Sequence, residues 1–271
     1  MTLAEWRAQR ADLVAACASR WSLTLGSPYV GPHVSFAAPA TTADGAAVVL
    51  KVQFPHHESE HEAEALRRWD GDGAIRLLAA DPEHHALLLE RAEPGDALAT
   101  DTAALDVLVG LLPRLWVPAG APFTTLRDEA ARWHEHLRDP ERTARLDPDL
   151  VTHAVGLLGD LGPSVTESVL LHQDLHGGNV LRARREPWLV IDPKPLSGER
   201  EFSVAPIVRS VELGHSRAAV HRRLDHLTAE LGLDRERARG WTIGQTIAWS
   251  TGEDAELAAR HQQAARWLLD R

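Results

Sequence analysis

His172-Gln173-Asp174-Leu175-His176-Gly177-Gly178-Asn179-Val180-Leu181 decides the reading of this chain, together with Trp188-Leu189-Val190-Ile191-Asp192-Pro193-Lys194-Pro195 shortly after it. The first stretch follows an apolar strand and is a polar loop, with Asp and Asn five apart and two glycines between them. Glycine lets a loop turn tightly and brings its backbone close to a ligand. The second stretch is another apolar strand that delivers a carboxylate to a loop. One carboxylate to orient a hydroxyl, with an Asn and an Asp to hold Mg²⁺, is the equipment of phosphoryl transfer. Magnesium takes hard oxygen ligands and keeps several waters, so two protein ligands plus phosphate oxygens suffice.

Working outward, the chain changes character near residues 92–96, Glu93-Pro94-Gly95-Asp96. Before that point, residues 3–21 have helical spacing of apolar side chains, and 34–38, 46–54, 74–81 and 85–90 read as strands. Asp44-Gly45 marks a tight turn between the first two of these. Pro55 opens an expected helix over 56–69, with Ala63, Leu66 and Trp69 on its apolar side. After that point, 105–116, 125–137 and 149–161 are helical in period, with Pro113 kinking or ending the first. From Val204 onward the pattern is helical again. The class is α+β, with a small β-rich lobe over 1–92 and a larger, mainly helical lobe over 93–271.

The 271 residues are 44% hydrophobic and 25% charged, which suits a globular chain and excludes disordered and collagen-like classes. A formal net charge of −10 works against broad binding to nucleic acid or anionic membranes and favours a cationic small molecule. One cysteine, Cys17, permits no internal disulfide and fits a reducing compartment. The N-terminus lacks a signal-peptide layout, and no apolar run approaches the ~20 residues that span a bilayer. A cytoplasmic protein is expected. Only two of the 29 basic residues are lysines, Lys51 and Lys194. Where arginine replaces nearly every lysine, a surviving lysine is a candidate for needing a compact ammonium.

The text HQDLHGGNVL followed by VIDPKP resembles the aminoglycoside phosphotransferase family, which has the protein-kinase-like bilobal fold. The stretch LVIDPKPLSGEREF is most similar to its streptomycin 6-phosphotransferase and hydroxyurea phosphotransferase branch. The resemblance implies ATP and Mg²⁺ as cofactors and a small-molecule hydroxyl as acceptor. It makes Asp174 the catalytic carboxylate, Asn179 and Asp192 the magnesium ligands, and His172 a supporting loop residue. Lys51, on an alternating strand, corresponds to the lysine that reaches the α- and β-phosphates. Its carboxylate partner is Glu62, with Glu58 as the alternative. Leu88 to Gly95 corresponds to the hinge, where the backbone of Glu90 and Ala92 would meet the adenine edge. Gly31 to Phe36 stands where the family places its phosphate-covering hairpin, with Ser35 as a phosphate contact.

Other features are open. The family commonly has an Asp after the aromatic in the segment matching Glu201 to Pro206; here Ser203 stands there, able to cap the next helix but not to brace the loop by charge. Lys194 either touches phosphate or is solvated, the second being favoured. For a polycationic acceptor, Glu199 and Glu201, Asp254 and Glu256, and the ring faces of Trp241 and Trp249 are candidates. Same-fold kinases of hydroxyurea, a sugar, an amino alcohol or a peptide antibiotic, and a nucleotide binder without turnover, are alternatives. His57-Glu58-Ser59-Glu60-His61 fits the H-E-x-x-H zinc pattern if helical, but no third ligand segment accompanies it. There is no Walker P-loop, no G-x-S-x-G and no G-x-G-x-x-G.

Overall fold

The computed structural model describes residues 2–30, 34–100, 103–252 and 255–270. The chain forms two compact units, Met1–Asp96 with Leu181–Ile191, and Ala97–Val180 with Asp192–Arg271. Gly31, Pro32 and His33 of the expected phosphate hairpin, and Asp254, lie outside the described residues.

The first unit begins with helix α1 (Leu3–Arg20). Thr2 caps it: its hydroxyl accepts from the Glu5 N–H, and the Glu5 carboxylate accepts in return from the Thr2 N–H. A sheet follows, built from β1 (Thr24–Leu25), β2 (Ser35–Thr41) and β3 (Ala47–Gln53), then helix α2 (Glu62–Trp69), then β4 (Leu77–Asp81) and β5 (Ala86–Glu90). The strand order is β1-β2-β3-β5-β4. Every pairing is antiparallel. Side chains alternate along β3, so Leu50 and Val52 face one side and Lys51 the other. Leu50, Val52 and Ala86 form the core with Val14 and Cys17 of α1. Burial pushes the Cys17 thiol up to about 11, with Asp81 nearby adding to it, so this cysteine is inert.

The helix expected from residue 56 begins instead at Glu62. Residues 56–62 (HHESEHE) carry no apolar side chain, so there is no face for a helix to bury. They make i-to-i+3 turns, in which the Ser59 N–H donates to His56 and the Glu62 N–H to Ser59. His57 and His61 therefore do not stand one helical turn apart, and the zinc pattern loses its geometry.

The second unit opens with α3 (Ala104–Leu115), α4 (Leu126–Leu137), α5 (Pro140–Thr143) and α6 (Pro148–Leu161), and then β6 (Val169–Leu171). Pro113 does not end α3, which runs on to Leu115. Next come β7 (Val180–Arg182) and β8 (Trp188–Val190), paired as a hairpin.

That hairpin departs from the expected division into 1–92 and 93–271. Residues 181–191 pack with the first unit. Val190 bonds to Gly73 and Ile75, and Arg182 to Gly95 and Asp96, through backbone groups. Arg185 fixes it further, donating to the Glu90 carboxylate at 2.8 and 2.9 Å and to the carbonyls of Gly71 and Ala74.

The chain returns through β9 (Leu196–Gly198), antiparallel to β6, and a 3-10 turn over Arg200–Val204. It ends in α7 (Ala205–Arg209), α8 (Arg217–Leu231), α9 (Arg235–Trp249) and α10 (Ala255–Leu269). Helix α9 is the centre of this unit, with every residue from Gly240 to Ala248 buried. Gly244 is what lets α6 approach it, since a Cβ there would stand 2.8 Å from Cδ2 of Leu158.

Leu50 is fully buried at the contact of α1 with the sheet. Leu50→Ala is expected to lower stability by about 2–5 kcal/mol, read from the urea midpoint at constant m-value. A change under 0.5 kcal/mol would mean that this core does not carry the unit.

Candidate active site

Strand β3 and helix α2 bring two charges together. Lys51 Nζ lies 2.8 and 2.7 Å from the two carboxylate oxygens of Glu62, and both side chains are buried. Gln53, two residues along the same face, also donates to Glu62. The partner is thus Glu62, and Glu58 lies instead beside His56. A buried ion pair costs desolvation, so it fixes the position of α2 more than it stabilises the unit.

At the end of β5, Glu90 is engaged twice. Its N–H donates to the Arg76 carbonyl, and its carboxylate takes Arg185 and the Arg76 N–H. Burial works against the charge, but the Arg185 guanidinium and the Arg76 N–H outweigh it and hold the carboxyl below the usual range. Ala92 follows in the turn before Gly95, whose φ is 85°. Ser35 begins β2, opposite Gln53.

In the second unit the loop after β6 is tied at each end. His172 is buried, its Nδ1 accepting from the Asp174 N–H at 3.3 Å and its carbonyl from the Lys194 N–H at 3.0 Å. Gln173 is held at φ 66°, and its carbonyl accepts from Gln245 Nε2 at 2.9 Å. Asn179 Nδ2 donates to the Asp174 carbonyl at 2.9 Å. That commits the nitrogen of the amide and leaves Oδ1 as the atom to offer a metal. Asp192 is exposed with φ 56°, a backbone state that an Asp tolerates better than most residues. An amide oxygen and a carboxylate are a hard donor set, which fits magnesium.

The loop is also held from the side. His176 Nδ1 and the Gly178 N–H each lie 3.1 Å from a Glu212 carboxylate oxygen. Gly177 must lack a side chain, because a Cβ would stand 2.7 Å from Cα of Ala99. Burial pulls the His176 imidazole down, but Glu212 and Asp174 outweigh it and raise its pKa. Burial likewise opposes the Glu212 charge, yet His176 and the two glycine N–H groups keep it low. Glu212 is positioned in turn by Arg223, which is buried and donates to the carbonyls of Val208, Leu213 and Gly214. Burial, with Arg222 alongside, pulls the Arg223 pKa down to about 10.

Four expectations are corrected here. Glu199 is 4% exposed, paired with Arg237 and bonded to the indole N–H of Trp241, which is itself fully buried. Both are core groups already engaged, the indole with a buried acceptor and the acid with a half-buried cation. Trp249 does attract cations, but they belong to the protein: Lys194 Nζ and the Arg209 guanidinium each lie 4.5 Å from its ring centroid. Lys194 is half-buried rather than free in solvent, and its ammonium is 2.9 Å from Asp174. Ser203 does not cap α7. It is buried, donates to the Arg200 carbonyl at 2.6 Å and accepts from the Trp116 indole at 3.2 Å. The charge beside the loop is supplied instead by Arg209, 3.9 Å from Asp174. Of the remaining acceptor candidates, Glu201 accepts from the Asp234 N–H at 3.4 Å, and Glu256 pairs with Arg260 at 2.8 Å. The roles of Arg209 and Glu212 left no trace in the sequence, since neither lies in a motif.

A thermostable mutant aminoglycoside phosphotransferase, crystallised with ADP and hygromycin B, matches with a TM-score of 0.67; the match covers 94% of this chain and 97% of that one at 15% identity. The fold is therefore that of the protein-kinase-like phosphotransferases. The family described as aminoglycoside/hydroxyurea antibiotic resistance kinases matches residues 20–255, and the chain belongs to it. It is an enzyme, a phosphotransferase with an alcohol group as acceptor. A streptomycin 6-kinase of Streptomyces glaucescens is 40% identical over 258 residues, 89% of this chain and 82% of that protein. A hydroxyurea phosphotransferase of Kitasatospora aureofaciens is 38% identical over 265 residues, 93% of this chain and 76% of that protein. Among the described residues no helix is long and apolar enough to cross a membrane.

The His176–Glu212 pair has two titration limbs. With its pKa raised, His176 contributes fully below its ordinary 6.5 and loses that contribution as pH climbs through the raised value. With its pKa lowered, Glu212 contributes fully above its ordinary 4.5 and loses that as pH falls through the lowered value. The pair holds the loop best between 4.5 and 6.5. Glu212→Gln removes the carboxylate that does most to raise His176 against burial, so its titration midpoint followed by NMR should fall. An unchanged midpoint would show that another group carries the shift.

Proposed function

We propose that this kinase transfers the γ-phosphoryl group of ATP, with Mg²⁺, to a hydroxyl of streptomycin or a related aminoglycoside. The observation that carries the reading is the loop in which Asp174 is fixed by Asn179, Lys194 and Arg209, in a chain 40% identical to a streptomycin 6-kinase. The first unit has the nucleotide-binding part: Lys51, oriented by Glu62, takes the α- and β-phosphates, and the backbone at Glu90 and Ala92 takes the adenine. Ser35 is a further phosphate contact. The second unit has the catalytic part. Asp174 accepts the acceptor hydroxyl's hydrogen bond and aims its oxygen in line with phosphorus. His172 keeps the loop in shape. Asn179 and Asp192 would hold magnesium, which neutralises phosphate charge when bound. The protein's share of the rate is positioning and charge neutralisation.

The acceptor reading rests on the relatives and on the net charge of −10, which suits a polycation. The same charge works against nucleic-acid partners. Phosphorylation adds negative charge and bulk to such a drug, and that change is the basis of resistance in this reading. An enzyme that consumes ATP and meets a drug before its intracellular target works in the cytoplasm. Hydroxyurea is the second reading, favoured by the Kitasatospora relative.

The test is acceptor-dependent ADP release with Mg-ATP, streptomycin and hydroxyurea side by side. Streptomycin should stimulate release, Asp174→Asn should lower kcat by about 10²–10⁴-fold, and chelation of magnesium should stop turnover. Stimulation by hydroxyurea alone would move the assignment to the second reading. Full activity in Asp174→Asn would remove Asp174 from the mechanism. In the same assay, Lys51→Met should raise the KM for ATP and lower kcat; unchanged constants would exclude the phosphate role of Lys51.

A further inference from the structure

Asp174 has two cations beside it, and they differ in kind. Arg209 is 3.9 Å from Oδ1, with a side chain 5% exposed in the core of the helical unit. Lys194 is 2.9 Å from Oδ2, with a side chain 27% exposed. Both rest on the ring of Trp249, at 4.5 Å from its centroid. A buried guanidinium is by itself enough to brace a carboxylate. The second cation has a flexible four-carbon stem and lies toward solvent, where a brace is least effective. It is also one of only two lysines in a chain that uses arginine at every other basic position.

The chemistry separates the two residue types. A guanidinium would dock on Asp174 through its fork and stay there. An ammonium has three rotatable donors and can keep one on the carboxylate while another engages a second oxygen. An acceptor hydroxyl bonded to Asp174 and ready to attack lies about 3–3.5 Å from phosphorus. The oxygens of the transferring group then come within one side-chain movement of Nζ. The Trp249 face holds the ammonium there with little competition for its donors.

We propose that Lys194 is a further catalytic residue, whose ammonium bridges Asp174 and the γ-phosphoryl group during transfer. The proposal rests on the kinase reading above. In the step, the acceptor oxygen forms a bond to γ-phosphorus while the bond from phosphorus to the β–γ bridging oxygen breaks. The hydroxyl proton passes to Asp174, and ADP leaves with the electron pair of the broken bond. Lys194 stays protonated and neutralises charge on the phosphoryl oxygens. Before nucleotide arrives, the same ammonium occupies Asp174.

The test compares wild type, Lys194→Ala and Lys194→Arg by calorimetry with ADP and with the non-hydrolysable analogue AMP-PNP, and by kinetics with Mg-ATP and streptomycin. In Lys194→Ala the affinity for ADP should stay within about twofold while that for AMP-PNP falls about tenfold, and kcat should fall about 10²–10³-fold with the KM for streptomycin little changed. Lys194→Arg should recover the discrimination between the two nucleotides but not the full rate. Equal losses for ADP and AMP-PNP would mark a packing role, and unchanged affinities with unchanged kcat would mark an idle lysine; either overturns the proposal. A wild type silent toward every acceptor would sink the kinase reading, and the calorimetric comparison would still decide on Lys194.

Discussion

The hydrogen bond from Gln245 to the Gln173 carbonyl joins the long central helix of the second unit to a loop with left-handed backbone. Gln173 holds a left-handed backbone at φ 66°, which a side-chain-bearing residue adopts only when its surroundings insist. Helix α9 supplies that insistence. Its interior glycines let α6 close against it, and its residues from Gly240 to Ala248 are wholly inside. The helix is therefore a rigid floor. The last residue of α9, Trp249, lies under the two cations that meet Asp174, the residue after Gln173.

Around that floor the loop is fixed by several small constraints, each from a different element. Asn179 closes the loop on itself through the Asp174 carbonyl. Glu212 holds the glycine turn, and Arg223 holds the segment that bears Glu212 by filling three of its carbonyls. Positional precision of this kind suits phosphoryl transfer, where the protein does little covalent chemistry and much aiming. The first unit uses another device. One buried pair, Lys51 with Glu62, couples the position of a short helix to a central strand. A helix of eight residues has little stability of its own, so its place depends on that contact and on its packing.

Sequence and structure agree most where a local pattern has a local cause. Alternation in β3 placed Lys51 on the face opposite Leu50 and Val52, and the glycine-rich loop and Ile191-Asp192-Pro193 were readable as motifs because their chemistry demands particular residue types. The rest depended on tertiary context. Glu199 and Trp241 looked like an acid and an aromatic for a cationic drug, yet each satisfies the other inside the core. Nothing near Glu199 in sequence marks its burial, since its balancing cation, Arg237, lies 38 positions away. The observed start of α2 lies beyond the expected one because helix propensity in HHESEHE meets no breaker, while the absence of an apolar face is decisive. The β7–β8 hairpin joined the first unit through backbone bonds, which no side-chain pattern records.

The arginine habit of this chain has a chemical consequence outside catalysis. With two lysines in 271 residues, the molecule carries almost no side-chain amines, and both are engaged with carboxylates. Lys51 is 8% exposed and Lys194 27%. Amine-directed reagents, acylating metabolites and carbonyl compounds that form Schiff bases thus find hardly any surface to modify. What little they find lies beside Asp174. The covering of guanidinium groups keeps its charge through any alkaline pH at which the fold survives, and reactions of the side-chain amines report chiefly on one loop.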